Sequence, residues 1–86
     1  MAQALAEAKQ LGYEGLELCF GMPGFDEKTS KEGLRGYAAG AKKLGIKIAT
    51  ACSGAYWGMS LGAVDEKERK RAVEFTKAYL KAASLV

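Results

Sequence analysis

One carboxylate and one loop carry most of the chemistry that these 86 residues offer. Glu17 sits between Leu16 and Leu18 in an alternating run and faces away from both. A carboxylate at the end of a strand can bind a metal, hydrogen-bond a sugar hydroxyl, or act as an acid/base with a raised pKa. It can equally be a structural carboxylate paired with a lysine. The second candidate is the loop Ser53-Gly54-Ala55-Tyr56-Trp57-Gly58-Met59-Ser60-Leu61. Its rings can stack on a sugar while hydroxyls and backbone amides orient it, or the loop can be a hydrophobic plug. The candidate substrate-binding set is Glu17, Phe20, Ser53, Tyr56 and Trp57. No residue is assigned to catalysis or to a metal.

Other chemistries find less support. Histidine is absent, which removes the usual general base, the Ser-His nucleophile pair and every imidazole metal site. Cys19 and Cys52 have no CxxC spacing and no second pair, so small buried side chains account for them better than metal or redox chemistry. Gly54-x-x-x-Gly58 is neither a P-loop nor a dinucleotide fingerprint.

The elements that must hold these residues come in a repeat. Leu11-Gly12 leads to an apolar run ending Cys19-Phe20-Gly21, and 33 residues later Leu44-Gly45 leads to one ending Cys52-Ser53-Gly54. A period of this length, built of strand, loop and helix, is the unit of a parallel β/α fold. Apolar spacing places helices over 2–11, 30–44 and 66–84, and strands over 13–20 and 46–53. Gly12 and Gly45 stop the first two helices. Capping boxes are expected at Thr29-Ser30-Lys31-Glu32 and Asp65-Glu66-Lys67-Glu68. Gly33, Gly36 and Gly40 each weaken the second helix by about 1 kcal/mol, which points to close packing there. Along the second strand, Ile46, Ile48 and Thr50 should share one face, with Lys47, Ala49, Ala51 and Ser53 on the other. The order αβαβα forms a single α/β unit over residues 1–86, its two strands parallel because a helix joins them.

Composition narrows the setting. The chain is 49% hydrophobic and 27% charged, as an ordinary globular protein is, so disorder is not expected. A net charge of +3 is mild, and the basic residues of the last helix alternate with Glu66, Glu68 and Glu74. That pattern is a solvated helix face, so no nucleic-acid partner is expected. No run approaches the ~18 apolar residues of a membrane span, and no signal peptide is recognisable. Two cysteines do not make a disulfide framework, so the cytoplasm is the expected compartment.

The run Ala8-Lys9-Gln10-Leu11-Gly12-Tyr13-Glu14-Gly15-Leu16-Glu17-Leu18 resembles a segment of the xylose-isomerase-like TIM barrel superfamily. That group includes sugar-phosphate isomerases and epimerases, ketose 3-epimerases and endonuclease IV. Lys43-Leu44-Gly45-Ile46-Lys47-Ile48-Ala49 is similar to the family's third strand. Ser53-Gly54-Ala55-Tyr56-Trp57 with Ser60-Leu61 and Asp65 is similar to a subset of sugar-phosphate isomerases/epimerases. The resemblance implies a partial (βα)8 barrel, spanning roughly the first helix to the third. It also implies a parent chemistry in which two carboxylates and a divalent metal (Mn or Mg) drive an enediol-type isomerisation. Only Glu17 and the Ser53–Trp57 loop map onto the active-site face. The family's Glu, Asp, His and Glu metal ligands and its carboxylate pair have no counterparts here, so no cofactor is expected in this chain alone.

Two parallel strands need further neighbours. The expected partner is therefore another copy of the chain, joined through open strand edges. Four copies would supply eight strands, although the extra helix in each argues against a simple closed tetramer. A sugar or sugar phosphate is the expected small-molecule partner, and the alternative is a small sugar-binding module using the Tyr56-Trp57 loop.

Overall fold

The computed structural model describes residues 1–86 as three helices around a two-stranded parallel sheet. In chain order these are α1 (Ala2–Gln10), β1 (Gly15–Cys19), α2 (Lys31–Leu44), β2 (Lys47–Cys52) and α3 (Glu66–Ala83), with a 3-10 turn at Ala55–Trp57 before α3. The strands are shorter than the apolar runs that mark them. Even so, hydrogen bonds from Lys47 N to Glu14 O and from Phe20 N to Cys52 O carry the ladder past both ends.

The helices stop and start for local reasons. Gly45 closes α2 with φ +71°, a left-handed backbone that costs glycine nothing and other residues strain. Asp65 caps α3, its carboxylate accepting from the Glu68 amide. At α2 the expected cap moves by one residue. Ser30, not Thr29, is the N-cap and accepts from Gly33 N at 3.0 Å. The Thr29 hydroxyl is already engaged with Asp26: it accepts from the Asp26 amide at 3.0 Å and donates to the Asp26 carboxylate at 3.1 Å. The expectation of close packing at the α2 glycines also fails. Within the chain, a Cβ at Gly36 or Gly40 would meet nothing within 4 Å, and only Gly33 has near neighbours, in Thr29 and Ser30.

Two apolar clusters hold the layers together, with Ile48 touching both. At the N-terminal ends of the strands, Leu5 and Ala8 of α1 pack on Ala41 and Ile46, with Leu16 alongside. At the C-terminal ends, Leu18, Phe20, Phe25, Leu34 and Ala82 form the larger cluster, which Phe75 and Tyr79 of α3 complete. Phe20 lies at its centre, with ring centroids 5.2 Å from Phe25, 5.3 Å from Phe75 and 5.4 Å from Tyr79. Burying a side chain of this size contributes roughly 2–3 kcal/mol, and each aromatic pair adds about 1 kcal/mol.

One irregularity in the sheet overturns part of the alternation read from sequence. Leu16 pairs with Ile48, but Glu17 pairs with Thr50, so Ala49 is an extra residue in β2. This bulge exchanges the faces of β2 beyond Ile48. Thr50 comes onto the side of Glu17, while Ala51 joins Leu18 on the helix-covered side.

The molecule is extended for its size. Its radius of gyration is 14.4 Å, with axes of 46 × 24 × 17 Å. A compact chain of this length would have a radius of about 12 Å. Its accessible surface is 6065 Å², against about 4,900 Å² for a compact monomer of this mass. Only 11 of 86 residues are buried. The helices cover one face of the sheet, and the outer edge of each strand has no neighbour.

Candidate functional site

The uncovered sheet face carries the polar groups. Its residues are fixed by the two opposing demands of β1: Leu18 must enter the core, so Glu17 and Cys19 must point away from it. Because of the bulge at Ala49, β2 matches this with Thr50 beside Glu17 and Cys52 beside Cys19. The Thr50 hydroxyl donates to Glu17 Oε2 at 2.6 Å. This short, charge-assisted bond holds one carboxylate oxygen and leaves the other free to accept from a ligand. Within this chain Glu17 has no lysine partner: both ion pairs lie on α3 (Lys70–Glu66 and Lys77–Glu74).

The cysteines depart from the expectation of small buried side chains: Cys19 is exposed and Cys52 half-buried, both as free thiols. The Cys52 thiol is pushed above its ordinary value of 9.0, first by burial, then by the hydrogen bond and charge of Cys19, and then by Glu17. Behind the sheet, the Tyr79 hydroxyl donates to the Ala51 carbonyl at 2.5 Å. Its pKa is likewise raised, chiefly by burial, with further increments from Cys52, Tyr56, Glu17 and Cys19.

The remaining candidates are dispersed. Phe20 is 2% exposed and lies inside the aromatic cluster, so its ring is a core element rather than a surface for substrate. It alternates with Glu17 and Cys19, and that alternation turns it toward the helices. Ser53 is structural in its contacts: its hydroxyl donates to the Phe20 carbonyl at 2.8 Å and accepts from the Ala55 amide at 3.3 Å. It ties the end of β2 to the end of β1 and begins the turn. Tyr56 packs edge-on against Phe75 and shares a 2.6 Å hydrogen bond with Thr76 of α3. Trp57, the next residue, is 97% exposed. The two rings therefore do not form one stacking platform. Arg69, which sequence reading did not single out, secures the rest of the loop by donating to the Ala63 carbonyl at 2.8 Å.

The residue that sequence reasoning missed is Thr50. Its partnership with Glu17 depends on the bulge, and the regular Ile46-Ile48-Thr50 spacing conceals that bulge.

A family model described as the xylose isomerase-like TIM barrel matches residues 5–86. The chain belongs to this family. No curated protein and no solved structure gives a significant match. Family membership explains the sheet: its two strands are part of a TIM barrel, with helices on the outside and alternate residues turned inward. Glu17, Cys19, Thr50 and Cys52 occupy the inward positions. They do not fit the divalent metal implied by the resemblance. No three His, Cys, Asp or Glu side chains come together, and the single carboxylate on this face already shares an oxygen with Thr50. Hard cations such as Mg²⁺ take several oxygen ligands, which this face does not supply. No helix is long and apolar enough to cross a membrane.

Proposed function

We propose that this chain is a two-strand portion of a sugar or sugar-phosphate isomerase/epimerase barrel, that it has no catalysis of its own, and that copies associate through the open edges of β1 and β2. The supporting observation is the uncovered polar face between two unpaired strand edges, with Glu17 held by Thr50 at its centre. In a closed barrel this face would line the substrate chamber. There the free Glu17 oxygen accepts a hydrogen bond from a sugar hydroxyl, and Thr50 keeps the carboxylate in one orientation. An enediol-type isomerisation moves a proton between adjacent carbons and requires a base and an acid placed on the substrate together. This face presents one carboxylate, so it binds and orients but does not complete that pair. The compartment consistent with free thiols and such a substrate is the cytoplasm.

The test is a ketose or ketose-phosphate isomerisation assay on the purified chain with Mn²⁺ or Mg²⁺ added. The expected result is no turnover above the metal-only rate. Turnover that Glu17→Gln abolishes would overturn the assignment of this chain as catalytically incomplete.

A second reading rests on Trp57, whose ring is almost fully in solvent on the loop after β2. An exposed aromatic can stack on a sugar, which would make the chain a small sugar-binding module. Titrating sugars against the fluorescence of this single tryptophan separates the readings. Saturable quenching supports the module, and an unchanged emission spectrum removes it.

A further inference from the structure

The feature that this reading does not use is the thiol pair. Cys19 ends β1, Cys52 ends β2, and the two are direct partners in the parallel register. Partner residues of a parallel pair point to the same face. Here that face is uncovered, with Cys19 exposed and Cys52 half-buried. Each strand thus ends on a free thiol directly opposite the other. Neighbouring strands lie about 4.8 Å apart, within the roughly 4.4–6.8 Å that a disulfide requires between Cα atoms. The remaining adjustment, drawing the two Cβ atoms together, falls on the last residue of each strand. Beyond them the strands are joined by the Phe20 amide to the Cys52 carbonyl and the Ser53 hydroxyl to the Phe20 carbonyl, so the adjustment falls at the end of the ladder and not in its middle.

We propose that Cys19 and Cys52 form a cross-strand oxidation site that a hydroperoxide converts into an intramolecular disulfide. Cys19 reacts first because it is the more accessible thiol. Its thiolate attacks one oxygen of the peroxide, the O–O bond breaks, and hydroxide leaves, giving Cys19 sulfenic acid. The Cys52 sulfur, as thiolate, then attacks the Cys19 sulfur and expels the sulfenic oxygen as hydroxide. The two thiol protons neutralise the two hydroxides, so two thiols and one H₂O₂ give one disulfide and two waters. Burial first, then its Cys19 neighbour and the Glu17 carboxylate, push the Cys52 thiol above its ordinary value, so less of it is thiolate. That makes it the slower thiol and suits it to the resolving role.

The experiment treats the reduced chain with one equivalent of H₂O₂ and follows thiol titre, intact mass and tryptic peptides. The titre should fall from two thiols per chain to none, with a mass loss of two hydrogens and a link between peptides 10–28 and 48–67. The sulfenate-trapping reagent dimedone should label Cys19 strongly in Cys52→Ser and only weakly in the wild type. A mixture of isotopically heavy and light chains distinguishes this site from association of copies, because every linked pair should carry one isotope only. Separate oxidation of each thiol to sulfinic acid, retention of both free thiols, mixed-isotope links, or equal dimedone labelling would each overturn the proposal.

Discussion

At the scale of single residues, the chain's polar chemistry depends on pairs formed across the two strands. Glu17 is held by Thr50, Cys52 lies beside Cys19, and Tyr79 anchors Ala51 from behind. Tyr79→Phe keeps the ring against Phe20 but leaves the Ala51 carbonyl without this donor. Urea denaturation should show a loss of about 1 kcal/mol. The same residues set an alkaline limit. Cys52 and Tyr79 titrate above their ordinary values of 9.0 and 10.0 when folded, so the native state holds these protons more tightly than the unfolded chain. Stability is therefore unaffected by them below about pH 9 and falls as pH rises through the folded-state pKa values. Thermal melts from pH 7 to 11 should show this decline. Glu17→Gln removes one negative charge beside Cys52 and should move its thiol titration downward.

At the scale of elements, the helices follow the sequence closely, and the sheet departs from it at one residue. Gly45 and Asp65 were legible because stop and cap signals act within a few residues of themselves. Thr29 and Ser30 were not separable, because what decides between them is Asp26, which takes the Thr29 hydroxyl. The bulge at Ala49 was illegible for a different reason. It is set by pairing between strands, and nothing in the local spacing of β2 records which residue of β1 it faces. That single slip hid the Glu17–Thr50 bond and so the geometry of the candidate site. The burial of Phe20, by contrast, is legible in the sequence, since its alternation with Glu17 points its ring into the core and away from the polar face. Two measurements check this account of the helices. Ser30→Ala and Asp65→Ala should each cost about 1 kcal/mol through loss of an N-cap. Gly36→Ala and Gly40→Ala should each stabilise the chain by up to about 1 kcal/mol, because nothing crowds a Cβ at either position.

At the scale of the whole molecule, the dominant fact is surface. The chain exposes 6065 Å², about 1,100 Å² more than a compact monomer of its mass, and much of its periphery is apolar. Trp57 and Val64 are almost wholly in solvent, and Leu11, Tyr13 and Leu80 are more than half exposed. A stable protein interface buries about 800 Å² on each partner, so the excess is of the size that association would cover. The fold accounts for it: two strands of a barrel keep an inner face and two edges that further strands cover in the closed form. Light scattering coupled to size-exclusion chromatography at micromolar concentration tests this most directly. The account predicts a folded species whose mass is a multiple of 9.2 kDa and which dissociates on dilution with loss of structure. A single 9.2 kDa species that keeps its circular dichroism and melts cooperatively at every concentration would contradict it.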